Sequence, residues 1–156
     1  MSLVGKRLPD VELGFMQGDT CVNKKLSEII GMDRTFLFGV PQAFSPICSN
    51  NHLPVIIQNF DEFIKANFEQ VCIIVPDNPW ALREWKQRLG APSGLKFLAD
   101  GNLEFINSIE LSTTCEELQL GQCSKRYALQ VENFIVFDEA VEDSIFDVSC
   151  TVGLPA

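Results

Sequence analysis

Two apolar runs, each bounded by a proline, constrain the fold of this chain more than any other feature. Residues 34–40 read RTFLFGV and are followed by Pro41, and residues 70–76 read QVCIIVP. Continuous apolar runs of this length are typical of strands that are buried on both faces of a sheet. A helix-start signal follows each run, so we expect strands and helices to alternate along the chain.

The remaining segments complete an α/β pattern. We predict strands at 11–13 and 96–99, helices at 26–30, 80–89 and 102–109, a helix starting at Ser45-Pro46 with a kink at Pro54, a loop at 110–124, and a hairpin formed by 125–131 and 134–137. Alternating strands and helices that end in a hairpin indicate a mixed central sheet flanked by helices. We therefore expect a single α/β domain over residues 1–156.

The charge balance excludes several classes of partner. The chain has 12 Lys and Arg against 21 Asp and Glu, a formal net charge of −9. Nucleic-acid binding needs clustered cations, and so does binding to an anionic membrane surface. No apolar run approaches the roughly 20 residues that span a bilayer. We expect no nucleic acid and no membrane, and a cytoplasmic location unless a transit peptide for an organelle has been removed.

The six cysteines do not follow the spacing of a metal or dithiol site. No C-x-x-C occurs, which removes the thioredoxin-type dithiol and the usual zinc pattern. One histidine and scattered cysteines are too few ligands for a metal, so we expect neither metal nor cofactor. The cysteines could instead form the disulfide framework of a secreted protein. However, a chain of 156 residues that is 46% hydrophobic can form a stable core without disulfide bonds.

Cys48 is the cysteine whose local sequence favours reactivity. Serine is a preferred N-cap and proline is favoured at the first helical position, so Ser45-Pro46 places Cys48 in the first turn of a helix. The positive end of the helix dipole favours a thiolate there. A thiolate attacks the O–O bond of a peroxide and becomes a sulfenic acid. The alternative is that Cys48 is a small buried apolar residue.

The other candidates have simpler interpretations. Cys72 lies in the middle of a predicted strand and is expected to be inert core, whereas Cys21 follows a turn and is expected to be structural. His52 is one helical turn after Cys48. It could assist Cys48 in a dyad, or it could be a histidine at the surface or behind the reacting groups.

The segment 38–54, FGVPQAFSPICSNNHLP, resembles the active-site segment of the type-five (atypical two-cysteine) peroxiredoxins. Their motif Pro-x-x-x-Thr/Ser-x-x-Cys is matched by Pro41, Ser45 and Cys48. Further similar segments are 4–13, 71–85, 95–105 and 123–133, and the resemblance covers roughly residues 4–137. It implies a thioredoxin-like fold in its peroxiredoxin variant.

The resemblance also implies a role for each matched residue. Cys48 would be the peroxidatic nucleophile, and Arg126 would support the thiolate and polarise the peroxide. The Ser45 hydroxyl would hydrogen-bond the peroxide, Pro41 would shield the site from water, and the backbone N–H groups of Ile47 and Cys48 would stabilise charge on the departing oxygen. Apart from the resemblance, Arg126 is expected to be a surface cation near the start of a strand.

Three positions depart from the family pattern. Ser45 replaces the usual threonine and keeps the hydroxyl, while Gln42 replaces a glycine in a tight loop. Ile47 stands where relatives often have glycine or threonine, and we expect it to narrow the mouth of the site and so to contact substrate.

A second cysteine would resolve the sulfenic acid. Residues 148–151, VSCT, are similar to the Leu-Thr-Cys-Ser context of a resolving cysteine in some relatives, which makes Cys150 the first candidate. Cys115 and Cys123 are lesser candidates. If none of them resolves, an external thiol would reduce Cys48, and thioredoxin, glutaredoxin or glutathione has this role in family members.

The implied function is a thiol-dependent peroxidase for hydrogen peroxide and alkyl hydroperoxides, in antioxidant defence and redox homeostasis. The resemblance also implies a homodimer that packs near the active-site loop. The first alternative is a thioredoxin-fold redox sensor or chaperone with slow turnover. The second is a binding domain in which Cys48 is buried and unreactive.

Overall fold

In a computed structural model that describes residues 2–152, the centre of the fold is a seven-stranded mixed sheet with the order β2-β1-β5-β4-β3-β8-β9. The strands are β1 (Glu12–Gln17), β2 (Thr20–Lys25), β3 (Thr35–Gly39), β4 (Gln70–Val75), β5 (Leu95–Ala99), β6 (Ser112–Thr114), β7 (Gln122–Ser124), β8 (Tyr127–Glu132) and β9 (Ile135–Val141). The helices are α1 (Leu26–Ile30), α2 (Leu53–Gln58), α3 (Phe60–Lys65), α4 (Pro79–Leu89) and α5 (Glu104–Ser108). This arrangement confirms the predicted α/β class.

The two apolar runs form the middle of the sheet, as predicted. Every residue of β3 is buried, and β3 pairs in parallel with β4 and antiparallel with β8. Strands covered on both faces must be apolar throughout, which is why these runs lack alternation.

Each face of the sheet carries its own core. Phe36 and Phe38 point to one face and stack on each other, with ring centroids 4.6 Å apart. Leu37, between them, points to the other face. Cys48 packs into the first core and Cys72 into the second, so the sheet separates these two thiols.

Helix α4 has a favourable residue at each end, Asn78 at its start and Gly90 at its end. The Asn78 side chain accepts a hydrogen bond from the Ala81 backbone N–H at 2.8 Å, and Gly90 ends the helix in the left-handed conformation with φ of 64°. At 11 residues α4 is the longest helix, and no helix within residues 2–152 has the length and apolar character needed to cross a membrane.

Parts of the edges of the fold differ from prediction. The loop predicted at 110–124 is wrong, because β6 and β7 pair there as a small separate hairpin. Three-residue strands give too few positions for a recognisable alternation. The first strand extends to Gln17, and β2 was not predicted because this exposed edge strand has no apolar face. The ends of the expected domain, Met1 and residues 153–156, lie outside the described residues.

Candidate active site

The helix that carries Cys48 begins where the sequence predicts. Pro46 is its first helical residue, and the Ser49 backbone N–H donates to the Ser45 carbonyl at 2.9 Å. Cys48 therefore lies in the first turn, just beyond the carboxyl end of β3. Its side chain belongs to the core beside that strand, with an exposed fraction of 0%.

A π-helical turn at Cys48–His52 interrupts the α-helix just before Pro54, where the sequence predicts a kink. Pro54 has no N–H to donate to Asn50, four residues earlier, so the regular α-helical pattern is interrupted. The Leu53 N–H instead donates to the Cys48 carbonyl, five residues back. Such turns occur frequently at functional sites, and this one directs His52 into the protein interior.

The loop before the helix is held from several sides. The Ser45 hydroxyl donates to the Gln42 carbonyl at 3.4 Å, and Gln42 in turn donates its side-chain amide to Asp77 at 3.1 Å, beyond the end of β4. Pro41 is buried, whereas Ser45 and Ile47 are half-buried. The residues that the sequence singles out around Cys48 are thus brought together by one loop and one helical turn.

Arg126 is buried, so the expectation of a surface cation is wrong. Its side chain is 2% exposed and lies between β7 and β8. The guanidinium donates from Nε to the Ile145 carbonyl at 2.6 Å and from Nη1 to His52 Nδ1 at 3.0 Å. Both acceptors are neutral, and no carboxylate within residues 2–152 forms an ion pair with it. A buried cation of this kind is stabilised by any anion that forms beside it.

His52 connects Arg126 to the carboxyl-terminal end of the chain. An arginine only donates, so His52 Nδ1 must accept and the ring proton must lie on Nε2. Nε2 then donates to the Thr151 carbonyl at 2.7 Å. Burial, and to a lesser degree the charge of Arg126, lower the pKa of His52 from 6.5 to about 4. This neutral histidine lies behind Arg126, not at the surface.

A single carboxylate fixes the segment that Thr151 belongs to, which we call the strap (residues 142–151). Glu142 accepts five hydrogen bonds, from the backbone N–H groups of Ser149, Cys150 and Thr151 and from the hydroxyls of Ser149 and Thr151. Burial opposes ionisation, but these bonds outweigh it and lower the pKa of Glu142 from 4.5 to about 2.

The strap holds Cys150 in an exposed position. Partial desolvation of the thiol and the adjacent Glu142 carboxylate both raise the pKa of Cys150, which favours its protonated form. Cys72 is sealed in the other core, where burial raises its pKa to about 12, in agreement with the inert role predicted for it. Cys123 is buried three residues before Arg126, and burial also raises its pKa.

The sequence does not indicate that Glu142 fixes the strap or that His52 and Arg126 are joined by a hydrogen bond. His52 is 74 positions from Arg126 and 99 from Thr151, so local spacing carries no sign of these contacts. Within residues 2–152 no three His, Cys, Asp or Glu side chains form a group that could hold a metal ion.

Folding stability should fall between pH 7 and pH 5 because of His52. Its pKa is lowered on folding, so the unfolded chain takes up a proton near pH 6.5 that the folded chain refuses until about pH 4. The loss at pH 5 should be about 2 kcal/mol, measured as the free energy of unfolding in urea. Acidification below 4.5 should then also weaken the hold of Glu142 on the strap.

The chain has one histidine, which gives this prediction a clean control. In His52→Gln the amide still offers an acceptor and a donor but does not titrate, so the slope between pH 7 and pH 5 should disappear. An unchanged slope in that variant would contradict the assignment.

Comparison with known proteins identifies the family. The Redoxin family profile matches residues 3–150. Peroxiredoxin-2C of Oryza sativa subsp. japonica is 29% identical over 141 residues, covering 90% of this chain and 87% of the relative. The hybrid peroxiredoxin hyPrx5 of Haemophilus influenzae is 30% identical over 135 residues, which cover 86% of this chain but 56% of the relative.

Solved structures agree with these relatives. Reduced Prx3 of Vibrio vulnificus, crystallised in complex with H2O2, superposes with a TM-score of 0.85 at 26% identity, over 91% of this chain and 89% of that one. The likeness confirms the predicted thioredoxin-like fold. Since the redoxin match spans nearly all described residues and the relatives are peroxiredoxins, the chain belongs to the redoxin family as a peroxiredoxin.

Proposed function

We propose that Cys48 is the residue through which this chain reduces peroxides. As a peroxiredoxin the chain is a thiol-dependent peroxidase with an antioxidant role. The observation that carries the assignment is the position of Cys48 in the first helical turn after β3, on the helix that His52 ties to the buried Arg126 guanidinium.

The reaction at Cys48 is a displacement at oxygen. The thiolate sulfur attacks the terminal oxygen of ROOH, and the S–O bond forms as the O–O bond breaks. The terminal oxygen keeps its hydrogen, and the departing RO⁻ takes up a proton from water to become ROH. The sulfur is oxidised to a sulfenic acid while the peroxide is reduced. An incoming thiol then attacks the sulfenic sulfur, releases water and leaves a disulfide.

Arg126 would supply the positive charge for this step. It is a fixed cation with five N–H donors, of which Nε and Nη1 are engaged by Ile145 and His52. The others remain for the thiolate and for the peroxide oxygens, where a buried donor is worth more than in water. The absence of an ion-pair partner within residues 2–152 supports this role, because a carboxylate would neutralise the charge.

The loop residues would shape the entrance. The half-buried Ser45 hydroxyl is weakly engaged at 3.4 Å and could turn to the peroxide. Pro41, which is buried, would exclude water, and the half-buried Ile47 would contact the substrate and offer its backbone N–H to the departing oxygen. The substrates we propose are hydrogen peroxide and small alkyl hydroperoxides.

Cys150 remains the first candidate for the resolving thiol. In the folded arrangement Glu142 holds its backbone and raises its pKa, so attack on Cys48 would require the strap to open. If Cys150 does not react, thioredoxin, glutaredoxin or glutathione would serve as the reductant.

Four finer assignments complete the proposal. We assign the chain to the type-five subgroup on the Pro41–Cys48 motif and the likeness to hyPrx5. We propose a homodimer that packs near the exposed Phe44 ring of the active-site loop. Six free cysteines support a reducing compartment such as the cytoplasm. Finally, we propose that residues 1–156 form one domain.

Trapping of the sulfenic acid in the unaltered chain tests the proposal. Reduced protein is mixed with one equivalent of hydrogen peroxide in the presence of dimedone, which alkylates sulfenic acids, and is then digested for peptide mass mapping. We expect the dimedone adduct on the Cys48 peptide within seconds.

The other cysteines serve as internal controls. Cys21 is exposed and Cys72 is sealed in the core, so labelling at Cys21 in preference to Cys48 would show that exposure alone decides reactivity. A Cys48 that carries neither the dimedone adduct nor a disulfide after minutes would overturn the assignment. A disulfide that joins the Cys48 and Cys150 peptides in the absence of dimedone would identify Cys150 as the resolving thiol.

A further inference from the structure

A cavity opens where the sheet comes apart between β1 and β5. In the described strands these antiparallel neighbours are in register at one pair only, Gly14 with Ala99. The residues that would follow in that register line a cavity of about 340 Å³ instead: Phe15, Met16, Phe97 and Leu98. The cavity is thus bordered by residues of both cores, Phe97 from the first and Leu98 from the second.

The size and floor of this β1–β5 cavity suit a small organic molecule. Sites for such ligands commonly measure about 300–1,000 Å³ and are mostly apolar, with a few polar groups that fix orientation. Two phenylalanines, a methionine and a leucine from the strands, with Ile29 of α1, supply the apolar surface here.

The residues that line the cavity carry an excess of positive charge, whereas the chain as a whole carries an excess of negative charge. The chain has 12 basic residues against 21 acidic ones. Yet among the described residues four cations and a single carboxylate, Glu28, line this cavity. The cations are Lys24, Arg83, Lys86 and Lys96. An excess of positive charge around an apolar floor attracts a molecule with an anionic head and an apolar body.

Two of these cations have no hydrogen-bonding or ion-pair partner among the described residues. Lys24 and Lys96 make no side-chain hydrogen bond or ion pair with any residue in the described part of the chain. Arg83 is partly engaged by Asp19 at 3.3 Å, and Lys86 reaches the Ser93 carbonyl at 3.3 Å. The site thus keeps cationic donors for an incoming ligand.

We propose that the β1–β5 cavity binds an amphipathic carboxylate, with its alkyl or aryl body between Phe15 and Phe97 and its head beside Lys24 and Lys96. The half-buried Lys86 adds to this charge. Its partial burial reduces screening by water and also lowers its pKa, so an anion bound beside it would stabilise its charged form. A carboxylate matches the observed charges better than a neutral lipid, which would leave the lysines unused.

The site is separate from the chemistry at Cys48, because neither Cys48 nor Arg126 lines the cavity. Phe97 nevertheless makes an edge contact with Trp85 at 5.7 Å, and the Trp85 indole donates to the Ser49 hydroxyl at 2.9 Å, beside the nucleophile.

The NMR signals of methionine methyl groups can report directly whether a ligand occupies the β1–β5 cavity. The chain has three methionines, of which Met16 lines the cavity and Met32 is 61% exposed elsewhere. With methyl-labelled methionine, octanoate should shift the Met16 signal saturably and leave Met32 unchanged, while 1-octanol should bind at least about tenfold more weakly. Met16→Leu assigns the signal.

Charge reversal supplies the matched control. Lys96→Glu and Lys24→Glu should each weaken octanoate binding by at least about tenfold, whereas Lys65→Glu on the exposed face of α3 makes the same charge change and should leave it intact. The proposal is overturned if octanoate does not shift Met16, if 1-octanol binds equally well, or if Lys96→Glu and Lys24→Glu bind like Lys65→Glu. Cys48→Ser should bind normally, so failure at one site can be told from failure at the other.

Discussion

Replacing Cys48 with serine should abolish peroxide turnover, with a fall in kcat/KM of about 10⁴-fold or more. Serine has nearly the same size and can occupy the same position in the first helical turn. Its hydroxyl, however, does not ionise in the accessible pH range and cannot attack the O–O bond. Turnover is measured as the consumption of hydrogen peroxide with dithiothreitol as the reductant, so that the result does not depend on the natural partner.

Cys21→Ser is the matched control for this experiment. Cys21 lies on the exposed edge strand β2 and has no part in the proposed chemistry. This variant should retain full turnover and unfold at the same urea concentration as the unaltered chain. Cys48→Ser places a hydroxyl in the buried core, so its urea midpoint should fall somewhat, and its turnover is therefore measured without urea, where it remains folded. Residual turnover by Cys48→Ser would mean that another thiol is the nucleophile.

Gly39→Ala should destabilise the fold by about 3 kcal/mol or more. A Cβ at Gly39 would lie 1.7 Å from the ring of Tyr127, its partner across the β3–β8 pair. The ring is buried at 1% exposure in the second core, so moving it away from Gly39 would require neighbouring core residues to shift. The change should appear as a lower urea midpoint at unchanged m-value.

Two companion variants separate the clash from other effects. Gly121→Ala adds the same methyl at a φ of 62°, where no atom of residues 2–152 other than its chain neighbours lies within 4 Å. It should cost about 1–2 kcal/mol from backbone strain alone. In the background of Tyr127→Leu, the Gly39→Ala change should cost less than in the unaltered chain. Equal costs in both backgrounds would contradict the proposed clash.

The sequence predicts those parts of this fold that depend on near neighbours. The buried runs of β3 and β4 are apolar throughout, and Ser45-Pro46 and Asn78-Pro79 mark helix starts within a few residues. The position of Cys48 follows from such local signals, and the structure confirms it.

The rest depends on tertiary contacts. Buried arginines are uncommon, and nothing near Arg126 indicates that His52 and Ile145 provide its acceptors. Nothing in the sequence distinguishes Glu142 from an acidic residue at the surface, because its hydrogen-bond partners at 149–151 reach it only in the folded strap. Pro54 predicts an interruption of the helix, but nothing in the sequence specifies that the interruption takes the form of a π-helical turn at Cys48–His52.

The strap also affects how long the sulfenic acid of Cys48 is exposed to further oxidation by peroxide. If Cys150 is the resolving thiol, it cannot attack faster than the hydrogen bonds to Glu142 break, and three of the five come from consecutive backbone N–H groups that must open together. During that interval a second peroxide can convert the sulfenic acid to sulfinic acid, which thiols do not reverse. The stability of the hydrogen bonds that Glu142 accepts from the strap would then determine the peroxide concentration at which the enzyme is inactivated by oxidation of Cys48 to sulfinic acid.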